Sequence, residues 1–296
     1  MTGLIRRIES SKDGEDALDR VQSAVTAVLD HRIPIDILSG RAIGHPMHPL
    51  TVQIPSGMWI AALSIDALGG RPGRRFARLL IGLGIVTSVP AVATGLTEWI
   101  HTRDAERRVG AVHAVSNVAA VAAMTSSWRA RAADSGRGRG SSLVAMVLLG
   151  VGGWLGGHLA YARGVGVNTA TFLKVPRTWT GVLNESDVHG GTVTAGEVDG
   201  VAVALLLAPE GVGVPAGTII AMESRCTHRG GPLHEGNIEE DGCVSCPWHG
   251  SRFDVVTGEA TRGPASIAQL VYRTRVVDGR VEIIGDDAGG LRKSVI

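Results

Sequence analysis

Hydrophobic positions divide the chain into a helical first part and a strand-rich second part. Within the first thirty residues, Leu18, Val21, Val25, Val28 and Leu29 recur at helical spacing between charged positions. That spacing predicts an amphipathic helix lying on a membrane surface or on the protein itself. Four long apolar stretches follow, at roughly 50–68, 76–100, 109–128 and 143–161. Each approaches the about 20 residues that a bilayer core requires. Soluble helices of that length carry a polar face, and the second and fourth stretches show almost none. Short segments bearing Arg71, Arg74, Arg75, Arg78, Arg103, Arg107, Arg108, Arg129, Arg131, Arg137 and Arg139 separate them, as a multi-pass chain requires. After about Asn168 the pattern shortens to strand-length runs divided by Gly, Asp and Pro: 201–207, 218–221, 271–276 and 281–284. Asp278-Gly279 between the last two reads as a hairpin turn. The expected fold is therefore mixed: an N-terminal four-helix transmembrane bundle and a C-terminal all-β domain. Its expected boundaries are an amphipathic segment over 1–40, the four spans over 41–165, a linker over 166–181, the β domain over 182–285 and a disordered tail over 286–296.

Composition adds constraints. Gly is abundant, at 41 residues, while Phe and Tyr are scarce, and small residues suit closely packed membrane helices. A formal net charge of +1 gives no reason to expect a nucleic-acid partner. Three cysteines rule out a disulfide framework. Residues 1–30 are charged and lack an apolar core, so no signal peptide is expected. Lys and Arg near span ends number eight on each side, which leaves orientation undecided. The expected location is thus the cell membrane, multi-pass and in contact with lipid, with the side of the β domain open.

The sharpest chemical signal is Cys226-Thr227-His228, then seventeen residues, then Cys246-Pro247-Trp248-His249. Each loop offers one thiolate and one imidazole. A two-iron cluster takes two protein ligands per iron, and His can replace Cys on one of them. A Cys₂His₂ zinc site uses the same donors, although zinc fingers usually pair Cys with Cys and His with His. Cys243 lies outside the pattern and reads as a small buried apolar residue.

The stretches Cys226-Thr-His-Arg-Gly-Gly-Pro-Leu233 and Cys246-Pro-Trp-His-Gly-Ser-Arg-Phe-Asp254 resemble the two cluster-binding loops of the Rieske iron–sulfur family. Thr257-Gly258 and Gly263-Pro264-Ala265 resemble its Pro loop. The resemblance, over about 182–284, implies a β-sandwich base with a cluster subdomain and one-electron transfer. It implies a [2Fe–2S] cluster with Cys226 and Cys246 on one iron and His228 and His249 on the other. Both imidazoles would be partly exposed at a docking surface. High-potential members of the family carry two further cysteines that form a disulfide, and here Gly231 and Trp248 stand at those positions. Those members also place Ser and Tyr hydroxyls near the sulfurs. Ser251 is present, but Phe253 occupies the Tyr position. Hydrogen bonds to sulfur raise the potential, so a low-to-intermediate potential is expected. Fewer than fifty residues follow His249, so no mononuclear-iron domain is expected. Nor is there a flavin or nicotinamide fingerprint; Gly150-Val-Gly-Gly153 lies inside an apolar stretch.

The helical half has histidines of its own: His45, His48, His101, His113 and His158. Topology places all five toward one side, and ionisable residues within spans suggest function. A b-type haem held by His113 and His158 is one reading, with His45 and His48 at a second metal or a quinone site. Interfacial histidines hydrogen-bonded to backbone or water are the other. Asp66 and Asn117 read as helix–helix hydrogen-bonding residues, and Trp59, Trp99, Trp128 and Trp154 as interfacial anchors. The Gly44-His45-Pro-Met-His48-Pro49 opening resembles a family of small bacterial membrane proteins of unknown function, over about 40–165. The function expected is a membrane-anchored electron carrier with a reductase or oxidase as its protein partner. The alternatives are a quinone-linked or haem-containing oxidoreductase and a redox sensor.

Overall fold

The computed structural model describes residues 2–32, 35–68, 70–133 and 137–285. The expected tail, 286–296, lies outside them. The chain forms two compact units. The first comprises Met1–Pro34 and Pro46–Val165; the second comprises Ile35–His45 and Gly166–Ile296. The helices in chain order are α1 (Thr2–Ser10), α2 (Glu15–Arg32), α3 (Ile35–Ser39), α4 (Met47–Leu68), α5 (Gly70–Trp99), α6 (Asp104–Ala133) and α7 (Arg139–Tyr161).

In the first unit α4 packs along α5, α6 along α7, and α5 against α6. Trp59, Ala62, Ala77, Ile81, Met124 and Ala145 form the core between them. The indole of Trp59 donates to the Ile81 carbonyl at 3.3 Å, in space that a side chain at Gly84 would fill. Asp66 on α4 is buried against Arg131 on α6. Ser127 and Ser142 complete the polar group around the guanidinium. The first apolar stretch thus carries a charge that needs a partner from another helix, because an unpaired buried charge is costly. Asn117 bonds within its own helix, to the His113 carbonyl at 2.9 Å. Trp59 and Trp99 are buried rather than interfacial, because each indole hydrogen-bonds a carbonyl between helices or across the α5–α6 turn.

Among the described residues, three helical segments are long and apolar enough to cross a membrane: Gly73–Trp99, Asp104–Ala133 and Arg139–Tyr161. The helix α4, with Gln53, Pro55 and Asp66, is not among them. The amphipathic pattern over 18–29 lies within one helix, α2. Leu29 is buried and Leu18 and Val25 half-buried, while Val21 and Val28 are exposed. Polar contacts hold α2 in place. Gln22 donates to the carbonyls of Trp99, Ile100 and Thr102, and Arg107 pairs with Glu15 and Asp19.

The second unit contains β1 (Thr180–Asn184), β2 (Thr194–Val198), β3 (Val201–Leu207), β4 (Ile219–Glu223), β5 (Asn237–Ile238), β6 (Cys243–Ser245), β7 (Arg252–Asp254), β8 (Ala260–Arg262), β9 (Val271–Val277) and β10 (Arg280–Ile284). A six-stranded antiparallel sheet runs β1-β10-β9-β4-β3-β2, and a four-stranded one runs β5-β6-β7-β8. Asp278 and Gly279 both take positive φ, 50° and 73°, as the tight turn between β9 and β10 demands. One core lies under the larger sheet, with Val203, Leu205, Ala221, Tyr272 and Ile283. The other, around Leu206, Met222, Leu233, Val244 and Phe253, includes Cys226 and Cys246.

Two boundaries differ from the expected ones. Ile35–His45 belongs with the β unit because the Asp36 carboxylate accepts the Gly263 N–H at 2.7 Å and pairs with Arg41. Residues expected as linker are partly packed, since Val175 joins the larger-sheet core and the Pro176 carbonyl accepts the Gly285 N–H.

Candidate metal centre

The two Cys–His loops are built alike. The Cys226 N–H donates to the Gly231 carbonyl at 2.9 Å, and the Gly230 N–H donates back to the Cys226 carbonyl at 2.7 Å. In the second loop the Cys246 N–H donates to Ser251 at 2.8 Å, and Gly250 donates back to Cys246 at 3.0 Å. Gly230 and Gly250 have φ of 77° and 71°, values that L side chains rarely adopt. Both loops therefore turn on a glycine four residues after the cysteine, a repeat visible in the sequence once the loops are aligned on Cys226 and Cys246.

Residues 263–269 tie the loops together. The Ser251 hydroxyl oxygen accepts the Ala265 N–H at 2.9 Å. Thr227 donates its hydroxyl to the Ile267 carbonyl at 2.7 Å, and its N–H to Gln269 Oε1 at 3.2 Å. The Gln269 amide donates in turn to the carbonyls of Glu223 and Arg225. Glu223 accepts the Arg225 N–H and the Tyr272 hydroxyl. Burial pushes the Glu223 carboxyl above its ordinary value. Gln269, Glu223 and Tyr272 carry no motif, which is why the sequence did not single them out.

The four expected donors come together at these loops. Cys226 and Cys246 are buried. Their mutual hydrogen bond, ahead of burial, pushes the Cys226 thiol up and brings Cys246 down to about 7. The rings of His228 and His249 stand edge to face with centroids 5.0 Å apart. Gly231 leaves the space between, because a Cβ there would lie 2.7 Å from Cys246 Sγ and 3.1 Å from Trp248 Cγ. The two imidazoles differ in exposure: His228 is 7% exposed and His249 is half-buried. The expected pair of exposed imidazoles is therefore one, beside the half-exposed Trp248. Phe253 is fully buried. Cys243 is buried beside Thr261, away from the two loops.

Among the helical histidines, His48 and His113 come together, with ring centroids 6.4 Å apart. His158 instead reaches Glu9 Oε1 at 2.9 Å and stacks on Trp154. Residues 156 and 158 lie about 200° apart around a helix, and it is Gly156 that faces His113. The expected His113–His158 pair is thus not the one α7 presents. His101 bonds the Thr97 carbonyl at 2.8 Å, and His45 is exposed in the other unit.

Two family models match the chain. Residues 178–273 match the Rieske [2Fe-2S] domain. Residues 44–169 match a predicted membrane protein family, DUF2231. Ferredoxin CarAc of Metapseudomonas resinovorans is 32% identical over 36% of this chain and 94% of its own length. The anthranilate 1,2-dioxygenase ferredoxin subunit of Burkholderia cepacia is 42% identical over 22% of this chain, which spans 59% of that relative. Among solved structures, the ferredoxin of carbazole 1,9a-dioxygenase from Nocardioides aromaticivorans IC177 shares 25% identity over 37% of this chain and 99% of its own, with a TM-score of 0.32. The second unit is that of a one-electron carrier, and the chain belongs to the Rieske [2Fe–2S] family, joined to a predicted membrane domain.

The donor set suits that cofactor. Two imidazoles on one tetrahedral metal, with metal–nitrogen bonds of about 2.0–2.1 Å, have centroids about 5 Å apart, as His228 and His249 do. Among the described residues, no three His, Cys, Asp or Glu side chains converge to hold a single ion.

Proposed function

We propose that the chain is a multi-pass, membrane-anchored one-electron carrier in which Cys226 and Cys246 hold one iron of the cluster and His228 and His249 the other. The pairing of two matched loops, with the imidazoles 5.0 Å apart, carries this reading. When bound, the cluster supplies reversible single-electron transfer. The chain's own residues hold it: the Thr227–Gln269–Glu223 network fixes the first loop, and Ser251 fastens the second to Ala265. His249 and Trp248 lie on the accessible side, where a redox partner protein would dock. Similarity to the anthranilate 1,2-dioxygenase ferredoxin subunit supports a reductase or oxygenase as that partner.

Membrane anchoring is supported by the family of residues 44–169 and by large apolar side chains exposed on the helices. Ile60, Leu79, Val86, Val89, Val115 and Val147 are all more than half exposed. The helix α4 would be the fourth span, its Asp66 neutralised by Arg131. A potential in the low-to-intermediate part of the family's range is expected, because Phe253 offers no hydroxyl to the sulfurs. The test is a redox titration of the detergent-purified full-length chain, followed by electron paramagnetic resonance. A midpoint well above +150 mV, within the roughly −150 to +300 mV Rieske range, would refute the assignment of potential. A normal Rieske signal in His249→Ala would refute the ligand assignment.

A further inference from the structure

The helical unit contains a second pair of imidazoles with a different geometry. His48 stands at the start of α4 and His113 about two and a half turns into α6. Their centroids are 6.4 Å apart and their planes 77° to one another. Adding a ring radius of about 1.2 Å to a metal–nitrogen bond of about 2.0–2.1 Å on each side gives about 6.4 Å for imidazoles on opposite sides of one metal.

Each ring is oriented by a neighbouring helix. His48 Nδ1 lies 3.1 Å from the Ala91 carbonyl and 3.2 Å from Thr94 Oγ1 on α5. His113 Nδ1 lies 2.7 Å from the Gly152 carbonyl on α7. A carbonyl only accepts, so Nδ1 carries the hydrogen in both rings and Nε2 keeps its lone pair. Metal-binding histidines are held in this way. The Asn117 amide nitrogen is 3.4 Å from His113 Nδ1 and 3.2 Å from Nε2. Being nearly equidistant, it sits across the ring and not along the Nε2 lone pair.

Glycines make the slots. A Cβ at Gly95 would lie 2.8 Å from His48 Cε1, and one at Gly156 would lie 3.0 Å from His113 Cε1. Two imidazoles alone do not complete a metal's coordination, and among the described residues no third His, Cys, Asp or Glu joins them. A macrocycle that brings four nitrogens of its own supplies what is missing, and it suits an apolar helical bundle.

We propose that His48 and His113 are the two axial ligands of a haem in the helical unit. The site is independent of the cluster, so the chain has two one-electron centres.

The test is a reduced-minus-oxidised visible spectrum of the full-length chain in detergent, with haem quantified after extraction. One haem per chain and sharp low-spin bands beside the broad iron–sulfur bleaching are expected. His48→Ala and His113→Ala should each lower haem content more than about tenfold, while His158→Ala retains it. Adding free imidazole to His113→Gly should restore the bands, which separates a lost ligand from a lost fold. Iron–sulfur bleaching without haem would overturn this proposal and leave the cluster reading standing. Full haem content in both alanine variants, or its loss in His158→Ala, would also overturn it.

Discussion

Gln269→Met removes three hydrogen bonds at the first cluster loop and little volume. Gln269 is 2% exposed, so water does not replace what is lost. Its amide serves the Glu223 and Arg225 carbonyls at 2.5 and 3.0 Å, and its oxygen takes the Thr227 N–H at 3.2 Å. A buried polar group left without its partner costs about 1–3 kcal/mol. Of the three groups left, two uncompensated at the low end already cost about 2 kcal/mol, or about thirtyfold in the equilibrium for opening the loop. The cluster leaves when that loop opens, so its rate of loss follows the open population where reclosing is fast. The assay is decay of the cluster's visible absorbance in excess chelator at fixed temperature. The variant should start with a normal spectrum and decay about thirtyfold faster than the parent. Decay within about twofold of the parent would refute the idea that Gln269 holds this loop.

Gly231→Ala should assemble little cluster while keeping its far-ultraviolet circular dichroism, since the new methyl lies 2.7 Å from Cys246 Sγ; full iron and sulfide content would refute this. Asp66→Ala leaves the Arg131 guanidinium buried without its carboxylate, and should cost about 3–5 kcal/mol, read as a lower thermal midpoint in detergent. An unchanged midpoint would refute the pairing. The raised Glu223 carboxyl means that the folded state binds its proton more tightly than the unfolded one. Its contribution to stability is therefore full below the unfolded value of about 4.3 and is lost as pH rises through the folded value. Glu223→Gln should gain stability over the parent progressively as pH rises above about 4; parallel thermal curves would count against it.

Where a pattern repeats at a structural period, the sequence was legible. The run 201–207 is β3, and Asp278-Gly279 is the turn between β9 and β10. All four apolar stretches became helices, with ends set by glycine and charged segments. The family of the cluster loops was equally plain, because Cys and His at that spacing serve few other ends. What stayed hidden depends on rotation and on distant partners. His158 and His113 looked equivalent along the chain, but two residues of α7 turn one away from the other, and His48 takes its place. Gln269 sits in a loop with no periodicity, so nothing local marks it as buried. Trp99 lies at a span end, which suits a membrane surface, yet Gly110 opposite it opens an interior site, as Gly84 does for Trp59.

The Asp36–Gly263 contact joins residues 227 positions apart, on either side of the four long helices α4–α7. At a ribosomal rate of about 5–20 residues per second, Asp36 is made roughly 10–45 seconds before Gly263. Helices α4–α7 are synthesised in that interval, so the β unit completes itself only after the last of them has been made. A gene fragment that begins at residue 166 would encode all ten strands and both cluster loops, yet would lack the carboxylate that caps the Gly263 N–H. The isolated fragment is therefore a different object from the same unit in the full chain.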